Sequence, residues 1–253
     1  MQGTTGARQS TVLPVARPST VDLIAAELRE AIYSGALGVG TGLGEVETAA
    51  QLGVSRGPFR EAAQRLVQEG LLTAVPGRGL RVSVIGREHV ADLYGARIAV
   101  ETEAARQIVA GGRSLDDVQA ALDVLERVSE RDDALAIGDA DLDFHRRLVA
   151  ASGNRRLTRY MATLAIETRI ASLSAADGYA VRRSVSPTYR ALLDALAAGD
   201  ADAAVAAIRQ QLEEATGRLL GLVDGVETVE RDVVPPPLQP IDPAQLGDAP
   251  PTL

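Results

Sequence analysis

The 253-residue sequence predicts a mainly α protein of two domains, a small winged helix-turn-helix followed by an antiparallel bundle of helices. Three observations carry this. Hydrophobic residues make up 46% of the chain but aromatic residues only 3%, so the cores are built from Ala, Leu, Val and Ile, which in long runs favour packed helices. Residues 45–84 read as two short helices around a glycine turn and then two strands around a second turn. From residue 88 to about 223 the pattern is helical and is broken only at short Gly, Asp and Ser turns.

Taken in order, residues 1–16 are polar, contain glycine and lack periodicity, as expected of a disordered arm. Ser19 or Thr20 can cap a helix over 21–33, where Leu23, Ile24, Leu28 and Ile32 form one apolar stripe and Ser34-Gly35 ends the run. A glycine-rich loop over 36–44 follows. Within 45–70 the first helix breaks at Leu52-Gly53-Val54 and Ser55 restarts the chain as an N-cap. In the second helix Phe59, Ala62, Ala63, Leu66 and Val67 recur at three- and four-residue spacing and face a core, leaving Arg56 and Arg60 one turn apart on the other side.

Two guanidinium groups near a helix N-terminus suit the acceptors of guanine or a phosphate in a major groove. The alternative is a pair of solvated surface arginines. Residues 71–75 and 80–84 then read as strands around the turn Pro76-Gly77-Arg78-Gly79. This wing would present Arg78 between Gly77 and Gly79, small enough for backbone to approach a phosphate or a minor groove.

In the second domain, Val90, Leu93, Tyr94, Arg97, Ile98, Glu101, Ala104, Ala105 and Ile108 fit one long amphipathic helix stopped by Gly111-Gly112. Ser114, with Asp117 in a capping box, is expected to start the next helix. Further helices are expected at about 134–151, 155–173, 185–197 and 202–223. Arg97 stands on an otherwise apolar face, where a guanidinium serves either an organic carboxylate or a salt bridge within the bundle. Asp141 and His145 lie one turn apart and read as a hydrogen-bonded polar pair or as two ligands of one ion. Prolines over 227–253 are too dense for regular structure, and a disordered tail is expected there.

The stretch EVETAAQLGVSRGPFREAAQRLVQEGLL with the wing PGRG resembles the winged helix-turn-helix of GntR-type bacterial transcription regulators, and the helical region behind it is similar to the FCD ligand-binding domain of the FadR subfamily. The resemblance runs from about residue 18 to 223. It implies a domain over 17–87 that binds operator DNA through Ser55, Arg56, Arg60, Gly77, Arg78 and Gly79, and an effector-binding and dimerisation domain over 88–226. It also implies an effector site at Arg97, Asp141, His145, Tyr189 and Gln211. In that family an aspartate and three histidines often hold a divalent metal. Asp141 and His145 match two of those positions, while Tyr189 and Gln211 occupy the other two. With only His89 and His145 in the chain the three-histidine site cannot form, so no cofactor is identified and a divalent metal is not expected, a hard ion held by oxygen ligands being the alternative. The loop over 39–45 departs from the family, with Gly42 where an arginine would reach a phosphate, and Val46 replaces an arginine that reads DNA in some relatives.

Composition bounds the partners. The absence of cysteine excludes disulfides and thiolate metal sites, and no run approaches a membrane span, so a cytoplasmic protein without membrane contact is expected. The net charge is -8, yet residues 17–87 hold 8 arginines against 7 acidic residues. A few placed arginines rather than a broad positive field would then carry binding to duplex DNA. The expected function is a homodimeric, ligand-responsive regulator, a repressor of an inverted-repeat operator with a small organic acid or related metabolite as effector. It is not expected to be an enzyme. A helical metal-dependent enzyme using Asp141 and His145, and a winged-helix module that meets acidic protein, are the alternatives.

Overall fold

A computed structural model describes residues 18–131, 133–174, 181–182, 187–222, 228–229 and 238–242. The N-terminal half of the architecture is α1 (Thr20–Ser34), β1 (Gly42–Leu43), α2 (Glu45–Gln51), α3 (Arg56–Gln68), β2 (Leu72–Val75) and β3 (Gly79–Val82). Ser19 caps α1 in a capping box with Asp22, which also reaches Arg65 on α3 at 2.6 Å. Arg29 on α1 grips Glu69 just beyond α3 with Nη2 at 2.8 Å and Nε at 3.2 Å from one carboxylate oxygen. Between these polar clamps Ile24, Leu28 and Ile32 pack on Phe59, Ala62, Ala63 and Leu66. The three strands run antiparallel in the order β1-β3-β2, with Leu72 opposite Val82 and Val75 opposite Gly79.

The C-terminal half holds α4 (Arg87–Gly111), α5 (Asp116–Ser129), α6 (Ala134–Ala151), α7 (Arg155–Leu173), β4 (Val181–Arg182), α8 (Pro187–Ala198), α9 (Ala201–Leu219) and β5 (Thr228–Val229). The helix α4 runs through its centre and packs on α6, α7, α8 and α9. Val90, Leu93, Ile108, Leu122, Phe144, Leu148, Leu192 and Ile208 fill the main core. Among the described residues no helix is long and apolar enough to cross a membrane.

Several expectations need correction. The glycine-rich loop contributes β1, because the outer edge of β3 is open and Gly42 and Leu43 pair with Arg81 and Leu80. Ser114 holds the first turn of α5 through Asp116 rather than through the expected capping box with Asp117: its Oγ accepts from the Asp116 N–H at 3.2 Å and its hydroxyl donates to the Asp116 carboxylate at 2.8 Å. Within the proline-rich tail, Leu238–Asp242 returns to the winged helix. Ile241 is buried in its core and donates its backbone N–H to the Leu52 carbonyl at 3.1 Å, and Gln239 N–H reaches Glu27 at 3.3 Å. Thr228 and Val229 of that tail form β5, paired antiparallel with Arg182 and Val181, while residues 227, 230–237 and 243–253 and the arm over 1–16 lie outside the described residues.

The two halves share side chains. Ile170 of α7 is fully buried in the core of the winged helix, and Ile85 packs against both cores. Arg169 lies over the Tyr33 ring of α1 at 5.8 Å and pairs with Asp139 of α6 at 2.8 Å. These contacts form a seam between the bundle and the winged helix.

Candidate nucleic-acid interface and effector site

Ser55 has the extended backbone of an N-cap but makes no side-chain cap bond, so its hydroxyl is not spent on the helix. Arg56 opens α3, and Ser55, Arg56 and Arg60 are all exposed. Arg60 is not solitary: its Nη2 and Nε lie 2.7 and 3.2 Å from Glu45 Oε2 at the start of α2. That hydrogen bond holds the Glu45 carboxyl below its ordinary pKa, and the same contact raises that of Arg60. Glu45 is a partner that sequence reasoning missed, since it stands fifteen residues from Arg60 and no local spacing rule joins them.

At the wing, Gly77 and Gly79 have φ of 72° and 81°, left-handed values that an L side chain resists, and the Arg78 N–H closes the turn on Val75 at 2.9 Å. Gly77, Arg78 and Gly79 are exposed. Val46, on α2, is also 64% exposed and is uncharged.

In the bundle the structure gathers four of the five expected residues into one network around Glu101. Arg97 Nε is 2.9 Å from Glu101 Oε1 and His145 Nδ1 is 2.6 Å from Glu101 Oε2. His145 Nε2 stands 3.7 Å from Asp141 Oδ1, which accepts a hydrogen bond from the Tyr189 hydroxyl. The rings of Phe144, His145 and Tyr189 meet edge to face. Arg97, Glu101 and His145 are 1%, 0% and 2% exposed, so water screens none of these charges.

Burial works against the Arg97 cation, but Glu101, Tyr94 and Asp141 outweigh it and hold its pKa above the ordinary value. Burial also opposes the Glu101 anion, yet His145 and Arg97 bring its pKa below normal. Tyr189 is pushed well up by burial and by Asp141, so its phenol stays a neutral donor. Glu101 was foreseen only as one position of a helical stripe; its spacing of four from Arg97 was the available signal.

Gln211 on α9 is the fifth residue. It is 4% exposed, and among the described residues neither its Nε2 nor its Oε1 has a hydrogen-bond partner; Arg97 Nη2 is in the same condition. Buried polar atoms without partners are costly, and a bound molecule is one way to meet that cost. The donor set does not fit a transition metal. Only one imidazole is present, its Nδ1 is engaged by Glu101, and the Asp141 oxygen is engaged by a phenol. Among the described residues no group of three or more His, Cys, Asp or Glu could hold an ion.

Comparison with known proteins agrees with this architecture. Residues 20–82 match the profile of bacterial regulatory proteins, gntR family, and residues 92–214 match the FCD domain. The chain is 31% identical over 175 residues to the probable D-xylose utilization operon transcriptional repressor of Paenarthrobacter nicotinovorans, covering 68% of this chain and 76% of that protein. It is 32% identical over 201 residues to an HTH-type transcriptional regulator in an unstable DNA locus of Streptomyces ambofaciens, covering 74% and 79%. A crystal structure of a GntR transcriptional regulator from Rhodococcus sp. RHA1 superposes with a TM-score of 0.70 at 30% identity, covering 80% of this chain and 98% of that one.

Proposed function

The chain belongs to the GntR family of bacterial transcription regulators, with an FCD domain behind its winged helix-turn-helix, and on that premise we propose that it is a homodimeric repressor released from an inverted-repeat operator by a small organic acid. It is a regulator and not an enzyme, as its relatives are. The observation that carries the finer reading is the joint exposure of Ser55 and Arg56 at the start of α3, Arg60 one turn on, and Gly77, Arg78 and Gly79 at the wing tip. In this reading Arg56 and Arg60 meet base edges and phosphates, with Arg60 exchanging Glu45 for DNA, while Arg78 enters the flanking groove. One winged helix covers few base pairs, so a two-fold dimer supplies both affinity and register. A cytoplasmic location belongs to the same reading.

The effector is assigned to the bundle, with Arg97 Nη2 and Gln211 Nε2 donating to a carboxylate and Gln211 Oε1 accepting from a hydroxyl. Asp141, His145 and Tyr189 form the wall that fixes Arg97 through Glu101. A bound acid shifts operator affinity only by its preference between two placements of the winged helices. The domain limits of this reading are 17–87 and 88–226, with Leu238–Asp242 added to the first. The test is fluorescence anisotropy of promoter fragments upstream of the protein's own gene. Arg56→Ala and Arg60→Ala should each weaken binding at least about tenfold with an unchanged circular dichroism spectrum. Unchanged affinity in both would remove DNA as the partner of α3.

A further inference from the structure

A cavity lies outside the bundle network, at the seam where α1 of the winged helix meets α6 and α7. Its volume is about 560 Å3, within the usual range for small-molecule sites. Arg29 and Tyr33 form the wall from α1, and Leu142, Ala165 and Ile166 supply an apolar floor from the bundle. Arg169 is buried within it, and Arg146 stands 57% exposed with its nearest carboxylate, Asp143, at 3.8 Å.

The lining holds three arginines, Arg29, Arg146 and Arg169, against two aspartates, Asp139 and Asp143, and Glu30 and Asp133 act on Asp139 from nearby. Asp139 is taken by Arg169 at 2.8 Å, Glu69 by Arg29 at 2.8 Å, and Asp143 by Arg147 at 2.6 Å. Arg146 is the most exposed guanidinium of the lining, 3.8 Å from Asp143 and close enough to act on Asp139, and it stands beside an apolar surface. We propose that this interdomain cavity is a second ligand site, for a small organic monoanion whose carboxylate meets Arg146 and whose apolar body lies on Leu142, Ala165 and Ile166.

The site differs from the bundle site in position and in lining, although both use α6. Asp139, Leu142, Asp143 and Arg146 fall at i, i+3, i+4 and i+7 and share the face toward the seam, while Asp141 and His145 face Glu101 and Tyr189. A ligand touching α1 and α6 together binds only the arrangement in which both walls are present. It therefore favours that angle of the winged helix, and operator binding shifts its affinity reciprocally. The binding itself does not rest on the assignment of the effector to the bundle.

The test is isothermal titration of the full chain with benzoate and with hexanoate as probes. Saturable binding of one of them is expected, weakened about tenfold or more by Arg146→Ala, which removes the charge, and by Ala162→Trp, which fills the mouth from an exposed position. The same titration is expected to survive Gln211→Leu, a change confined to the bundle. Loss in Gln211→Leu with retention in Ala162→Trp would put the probe in the bundle and overturn the inference. So would the absence of saturable binding by either probe.

Discussion

Replacing Glu101 by glutamine removes one negative charge from the most enclosed part of the bundle and leaves two of its partners in place. Glu101 makes short bonds to Arg97 at 2.9 Å and to His145 at 2.6 Å, and all three residues are almost wholly shielded from water. Arg97 cannot shed its proton, so the variant leaves a buried guanidinium with Asp141 as the remaining carboxylate acting on it. Breaking a buried ion pair from one side costs about 3–5 kcal/mol, and the persistence of Asp141 places this case near the lower end, at about 3 kcal/mol. For a domain of this size that corresponds to a fall of roughly 6–12 °C in Tm. Urea denaturation followed at 222 nm and calorimetry would read it. The double variant Arg97→Met/Glu101→Leu removes both charges and should recover most of the loss. A single variant within about 1 kcal/mol of the parent, or a double variant as damaged as the single, would refute the argument that the pair is held by mutual neutralisation.

The remaining predictions concern other links. Ile241→Ala opens a hole in the core of the winged helix and should cost about 2–3 kcal/mol, read by denaturation and by faster hydrogen exchange at the Ile241 amide; an unchanged midpoint would mean that this segment does not hold. Glu45→Gln releases Arg60 and takes a negative charge from the DNA side, so binding to random duplex at low salt should tighten a few-fold in anisotropy titrations. Acid should unfold the chain in a defined order of signs. Glu101 and Asp22 both have folded pKa values below their ordinary 4.5 and 3.8, Asp22 at about 2, so their contributions are present above those ordinary values and are lost as pH falls toward the folded ones. Glu101→Gln should accordingly flatten the stability profile below about pH 4.5, and an identical slope in both proteins would assign acid unfolding to other groups.

Much of the fold was legible because local signals and burial agreed. Ser19 as one of two cap candidates, the Phe59 to Leu66 stripe, and the glycines that end α1 and α4 are each read from neighbours in sequence. What escaped depends on partners far along the chain. Two residues of a glycine loop become β1 only because β3 has an open edge. Ser114 does hold the start of α5, but its hydroxyl pairs with Asp116 where a box with Asp117 was expected. In the bundle, Arg97, Asp141, His145 and Tyr189 were picked out one by one, whereas their organiser, Glu101, bonds a histidine 44 residues away that no periodicity reveals. Arg60 was expected to face DNA, with a solvated surface arginine as the alternative, while its tie to Glu45 exists only once the helices fold across the turn.

The return of Ile241 to Leu52 means that the winged helix is not contiguous in sequence. Its apolar interior is plugged by a side chain encoded after the last helix of the bundle, at the hinge between α2 and α3. A fragment ending with β3 would expose the socket and invite aggregation, and a chimera that grafts this reader onto another sensor would have to carry the five residues 238–242 with it. Expression of the isolated reader with and without that peptide supplied in trans is therefore the practical guide to where the molecule can be cut.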